Sequence, residues 1–176
     1  MPIRRFLCLA VPVVSLVLGG CASWVNIPAE SGDMASHDPN LKTVLNLELQ
    51  AVRGVNDSLD PSDAPFVILP KGTAPAGYEG LVPQVAPRAS WSTGAPPTGA
   101  LVLEVRQVRV RGTYAQADVI RPATAAQPEG PREVVTVYLH YDMVFGWHVE
   151  RMRPWRVPVD EALVQSTREA EVDIKP

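Results

Sequence analysis

Three runs in the second half of the chain alternate apolar and polar residues, and this alternation is what most constrains the fold. In 101–110, Leu101, Leu103 and Val105 alternate, and then the apolar phase moves to Val108 and Val110. One extra residue near Arg106-Gln107 restores a single apolar face, so the pattern predicts a β-bulge there. In 114–120, Ala115, Ala117 and Val119 share a face. Arg111-Gly112 is the expected turn between these strands. The last hairpin covers 133–153. A three-residue loop, Val144-Phe145-Gly146, puts Trp147 and Val149 on one face with Val135, Val137, Leu139 and Tyr141. Gly146 then takes the left-handed position of the turn. This register sets Tyr141 against Val149, Asp142 against His148 and His140 against Glu150.

Ahead of the strands, Asp38-Pro39-Asn40-Leu41 reads as a helix start, with Asp38 as cap and Pro39 at the first helical position. Leu41, Val44, Leu45, Leu49 and Val52 follow at helical spacing, and Gly54 can close the helix left-handed. A helix over 39–53 is expected to cover a sheet. The apolar run Phe66-Val67-Ile68-Leu69 predicts a strand. Residues 70–99, rich in Pro, Gly and Ala, read as irregular, with a short strand at 81–85 as an option. A second Pro/Ala-rich loop follows at 122–131. The expected class is α+β: one N-terminal helix packed on a curved antiparallel sheet of about 4–5 strands, with long Pro-rich loops. This order is similar to the cone-shaped NTF2-like or cystatin-like folds. The similarity covers roughly 38–155 and brings no site residues with it.

The first 21 residues belong to a different kind of signal. Arg4 and Arg5 form a charged start, an uncharged apolar stretch runs from Phe6 to Leu18, and Leu18-Gly19-Gly20-Cys21 follows. The apolar stretch is short for a transmembrane helix. Leu-Gly-Gly-Cys resembles the lipobox of bacterial lipoproteins. The resemblance implies cleavage after Gly20 and acyl chains, palmitate among them, on Cys21. Each buried methylene contributes about 0.8 kcal/mol, so two or three chains hold a protein on a membrane without a transmembrane helix. Ala22 after the cysteine implies the periplasmic face of the outer membrane, as in enteric-type lipoproteins. The organisation expected is a signal peptide at 1–20, a lipidated tether at 21–37 carrying Trp24, Val25 and Ile27, one domain at 38–157, and a tail with a short helix at 158–176.

After cleavage, fourteen Lys and Arg stand against nineteen Asp and Glu, a formal charge of −5. A mildly acidic domain has no generic attraction for nucleic acid, and no nucleic-acid partner is expected. Cys8 leaves with the signal and Cys21 is acylated, so disulfides, thiolate metal sites and cysteine nucleophiles drop out.

The sharpest polar constellation is His140, Asp142, His148 and Glu150 on one face of the last hairpin. Two imidazoles and two carboxylates within ~5–8 Å could hold zinc or do acid–base work. Alternation alone also puts polar residues there, and no ligand-spacing motif such as HExxH accompanies them, so no metal and no other cofactor is expected. Arg106, Arg109 and Arg111 suggest an anion strip, yet solvated arginines on an edge strand are commoner. Ser90 and Ser92 flank Trp91 without a nucleophile-elbow context, and no catalytic residue is assigned. Tyr138, Tyr141, Trp147 and Trp155 could line a pocket or simply pack. The expected function is a non-catalytic, lipid-anchored envelope module that binds a protein, the cell wall or a small ligand. The alternatives are an NTF2-like pocket that binds or hydrolyses a small ligand, and a metal site on the last hairpin.

Overall fold

In a computed structural model, residues 24–28, 38–59, 62–92 and 94–155 are described. The signal region, Cys21 and the C-terminal tail lie outside them. Among the described residues the fold is α+β: two α-helices and an open, largely antiparallel sheet of six strands. The strands are β1 (Val25–Ile27), β2 (Phe66–Ile68), β3 (Val102–Arg111), β4 (Tyr114–Pro122), β5 (Arg132–Asp142) and β6 (Gly146–Trp155). The helices are α1 (Lys42–Ser58) and α2 (Pro75–Leu81), with a 3-10 turn, Val82–Gln84, after α2. Strand order is β1-β3-β4-β5-β6, and β2 lies parallel to the start of β3. β1 pairs with the far end of that strand, so β1 and β2 share one edge of β3.

One strand, β1, and the pairing of another, β2, were hidden for different reasons. Val25–Ile27 is only three residues long and lies in the stretch read as tether, yet Ile27 is fully buried opposite Val108. β2 was legible, but its parallel pairing depends on what lies between it and β3. That intervening stretch is only partly irregular: 75–84 are helical, and the described residues of 85–101 form turns and one isolated bridge, Phe66 to Ser90. Tyr78, Leu81, Val82 and Val85 recur at helical spacing, and Pro75 sits in the first turn of α2, so residues 81–84 are helical and Val85 a turn, with no strand there. The Tyr78 hydroxyl donates to the Leu69 carbonyl (3.2 Å) and accepts the Leu69 N–H (3.0 Å), and its ring stacks on Trp91 at 4.6 Å.

α1 begins later and ends later than the sequence implies. The Asp38 carboxylate accepts the Asn40 N–H at 2.8 Å and so closes a turn ahead of the helix instead of capping it. Asn40 in turn accepts the Ala74 N–H at 2.6 Å, which ties the start of α1 to the start of α2. Gly54 is no cap. It lies inside the helix, and a Cβ there would stand 3.2 Å from Val149 Cγ2 and 3.7 Å from Met152 Sδ. Its missing side chain lets α1 approach β6. The buried face of α1 carries Val44, Leu47, Leu49, Ala51, Val52 and Val55, in one cluster with Val105, Val108, Ala117, Val119, Val137 and Leu139 from the sheet. Leu45 is only partly buried and lines a groove of about 380 Å³ between α1 and α2, and Leu41 is exposed.

The bulge in β3 falls between Val105 and Gln107, leaving Arg106 as the extra residue. The following turn is Gly112-Thr113, since Arg111 pairs with Tyr114. Gly112 has φ 60° and, among the described residues, only glycines have positive φ, so the glycine occupies the first central position that a type II′ turn requires.

Candidate functional site

The sheet has two faces. α1 covers one, and the other carries the polar and aromatic side chains of β3–β6. On this outer face the ladder sets Tyr114 beside His140 and His140 beside His148, Gln116 beside Tyr138 and Tyr138 beside Arg151, and Asp118 beside Thr136 and Thr136 beside Arg153. A continuous network crosses four strands. Arg109 pairs with the Asp118 carboxylate, the Thr136 hydroxyl donates to Asp118 at 2.6 Å, and the Trp155 indole N–H donates to Thr136 at 2.9 Å. The Arg153 guanidinium lies 4.2 Å from the Trp155 ring centroid, and Arg151 lies 4.1 Å from that of Tyr138. Nearby, Arg121 pairs with Glu133 at 2.8 Å and donates to the Ser58 hydroxyl at 2.8 Å, fastening the end of α1 to the sheet.

Beside this network lies a shallow groove of about 360 Å³, lined by Trp24, Tyr114, Gln116, Tyr138, Glu150 and Arg151. It offers three aromatic rings, an amide, a carboxylate and a guanidinium. That set stacks flat or apolar groups and hydrogen-bonds polar ones.

The last hairpin keeps its expected faces and changes its expected partners. The loop is Met143-Val144-Phe145, and Gly146, left-handed at φ 72°, pairs with Asp142. Tyr141 therefore faces Trp147, Leu139 faces Val149, and His140 faces His148 rather than Glu150. The cause is Asp142: its carboxylate accepts the Val144 N–H at 2.7 Å and the Phe145 N–H at 3.2 Å, which starts the turn one residue early. The slip moves one strand by two residues relative to the other, so every side chain keeps its side. Glu150 is then the extra residue of a second bulge, between the pairs Leu139–Val149 and Tyr138–Arg151.

All four hairpin candidates thus keep the outer face, Glu150 set apart in the bulge, without converging as ligands. The rings of His140 and His148 meet edge to face at 5.9 Å, and Tyr114 lies 4.8 Å from His140. The loop N–H groups hold the Asp142 carboxyl below its usual range, and the two histidines add a smaller pull. Among the described residues, no three His, Cys, Asp or Glu side chains form a group that could hold a metal. Arg106 lies in the bulge and Arg109 is paired across strands, so the arginines form no strip of free cations. The aromatics divide between the faces: Tyr138 and Trp155 lie outside, Tyr141 and Trp147 on the α1 side.

One polar residue sits where the alternation and the helical spacing put apolar ones. Glu48 is fully buried on α1, four residues after Val44 and four before Val52, and neither carboxylate oxygen has a hydrogen-bond partner among the described residues. Burial pushes its carboxyl up from 4.5 to about 8, so it is a neutral acid at pH 7. Burial also raises the Tyr78 hydroxyl, with Glu48 and Glu104 adding to the rise. A charged residue within the 44–48–52 stripe was the sequence signal for this site.

No helix among the described residues is long and apolar enough to cross a membrane. In comparisons with known proteins, no family model, no curated protein and no solved structure matches the chain.

Proposed function

We propose that the chain is a lipid-anchored module of the bacterial cell envelope that binds its partner without transforming it, and that the outer face of β3–β6 is the binding surface. The observation that carries the anchoring is the run Leu18-Gly19-Gly20-Cys21 behind a charged and then apolar start. Acylated Cys21 is the attachment point, and Ala22 directs the protein to the periplasmic face of the outer membrane. The groove of Trp24, Tyr114, Tyr138 and Arg151 supports a binding role, because it presents partly exposed rings beside a guanidinium that lies over Tyr138. Asp118 and Glu133 are held in ion pairs and Asp142 in turn closure, which leaves Glu150 as the carboxylate that the groove presents to a partner. Fractionating cells tests the anchoring: wild-type protein should sediment with the outer membrane, and Cys21→Ala should leave it uncleaved or move it to the soluble periplasm. Wild-type protein in the soluble periplasmic fraction contradicts the reading.

A second reading, an NTF2-like domain that binds or hydrolyses a small ligand beneath the helix, draws support from Glu48. A neutral carboxylic acid with its proton held to about pH 8 is suited to donating one. Weighing against it, α1 fills that space with Leu47, Ala51, Val52 and Val55, and Glu48 has no exposed surface through which a reactant could reach it.

A further inference from the structure

The exposed large hydrophobic residues are concentrated at one end of the sheet. Met143, Val144 and Phe145 are 92%, 80% and 81% exposed, three in a row at the tip of the β5–β6 hairpin. A polar loop would serve a water-facing turn equally well, since Asp142 and Gly146 already fix its geometry. Behind the tip stand Tyr141 and Trp147, and on the neighbouring strand Tyr114 is 56% exposed. Trp24 lies at the same end, one residue ahead of the pair between Val25 and Val110 and so level with Arg111 and the β3–β4 turn. Among the described residues, only Leu41 and Trp155 of the exposed large hydrophobics lie elsewhere.

The chain enters the sheet at this end as well. Trp24 stands three positions after Cys21, a reach of roughly 10 Å when extended. From β1 to the β5–β6 loop is about three to four strand spacings, on the order of 15–20 Å. Apolar tip, aromatic collar and the Arg111 cation therefore belong to one small patch, and Cys21 lies three positions before Trp24 in the sequence.

We propose that this patch is a membrane-contact face: the Met143-Val144-Phe145 tip enters the outer part of the bilayer that holds the anchor. Tyr114, Tyr141, Trp147 and Trp24 lie at head-group level, where amphipathic rings are favoured. Arg111 then meets lipid phosphate. This rests on the lipoprotein reading, which supplies the bilayer, and adds an orientation to it. The sheet stands end-on to the membrane, the β4–β5 loop points away, and the outer-face groove opens sideways. A single loop has too little apolar area for more than weak binding on its own, so its role is to orient a domain that acyl chains already hold close.

The test uses the acylated protein in vesicles of phosphatidylethanolamine and phosphatidylglycerol. An environment-sensitive fluorophore is placed on Val144→Cys and, at the opposite end of the sheet, on Ala126→Cys. Both positions are exposed, so neither label disturbs packing. The Val144 label should shift to the blue and be quenched severalfold by doxyl-labelled lipid, while the Ala126 label keeps its aqueous emission. A Val144 label that stays in water on vesicle-bound protein overturns the proposal. So does a label shielded from aqueous quencher but untouched by doxyl lipid in protein that cross-links as a dimer, because the tip would then cover a second copy. A second arm separates the two readings. In Cys21→Ser protein the Val144 label should show weak, lipid-concentration-dependent quenching that Phe145→Asp abolishes. Quenching retained in wild-type chains that prove unacylated sinks the lipoprotein reading alone. Acylated protein with an unquenched tip sinks the membrane-contact face alone.

Discussion

Tyr141 and Trp147 face each other across the mouth of the last hairpin, ring centroids 5.5 Å apart and edge to face, on the side of the sheet that α1 covers. Trp147 packs against the core cluster but keeps part of its ring in water. Trp147→Ala should therefore cost about 2 kcal/mol, less than the roughly 3–5 of a fully buried ring. His148, on the other side, should be nearly silent to Ala, within about 0.5 kcal/mol. Urea unfolding of both variants checks the register, and a larger loss at His148 than at Trp147 would reverse the faces.

Glu48 gives the fold a built-in pH dependence. Its carboxyl titrates near 8 when folded and near 4.5 when ordinary. Below 4.5 both states hold the proton and stability is full. Between 4.5 and 8 the unfolded chain releases it while the folded chain keeps it, so stability falls as pH rises. Above 8 the loss is complete. Glu48→Gln should flatten the slope of stability against pH in this window, and Glu48→Met should raise stability at pH 7 by roughly 1–3 kcal/mol. An unchanged slope in Glu48→Gln means that the carboxyl finds a partner or water.

Gly54 marks the closest approach of α1 to the sheet, with Val149 Cγ2 only 3.2 Å from the position a Cβ would take. A large side chain has no room there. Gly54→Leu should cost roughly 1–3 kcal/mol by overpacking, despite the better helix propensity of Leu. A higher melting midpoint in this variant would place the helix farther from β6.

Leu47 and Leu45 divide the helix between core and groove. Leu47 is fully buried, whereas Leu45 lines the α1–α2 groove. Leu47→Ala should lose roughly 2–5 kcal/mol, and Leu45→Ala about half as much or less. Equal losses would rotate the helix face.

These contrasts show where the sequence speaks and where it does not. The β3 bulge was legible because Val105 and Val108 break a strict two-residue rhythm that only an extra residue repairs. The sides of the last hairpin were legible for the same reason. Its partners were not, because a two-residue slip leaves each side unchanged and the side chain of Asp142 decides the turn. α2 was masked by Pro and Gly, whose composition suggests a loop although Tyr78, Leu81, Val82 and Val85 keep helical spacing. β1 is too short to carry any periodicity, and Ile27 is recognisable as core only once Val108 is known to lie opposite. The outer-face groove joins Trp24 to Arg151 across 127 positions of sequence, and no local pattern announces that meeting.

Anchoring through Cys21 is the premise on which the binding role and the membrane-facing hairpin both stand. The most direct measurement is the intact mass of wild-type protein extracted from bacterial membranes, followed by that of its N-terminal peptide. The mass should show residues 1–20 removed and Cys21 carrying diacylglycerol, with or without a further acyl chain on its amino group. A soluble mature chain with an unmodified Cys21, or a chain that retains residues 1–20 with Cys21 unmodified, would contradict it.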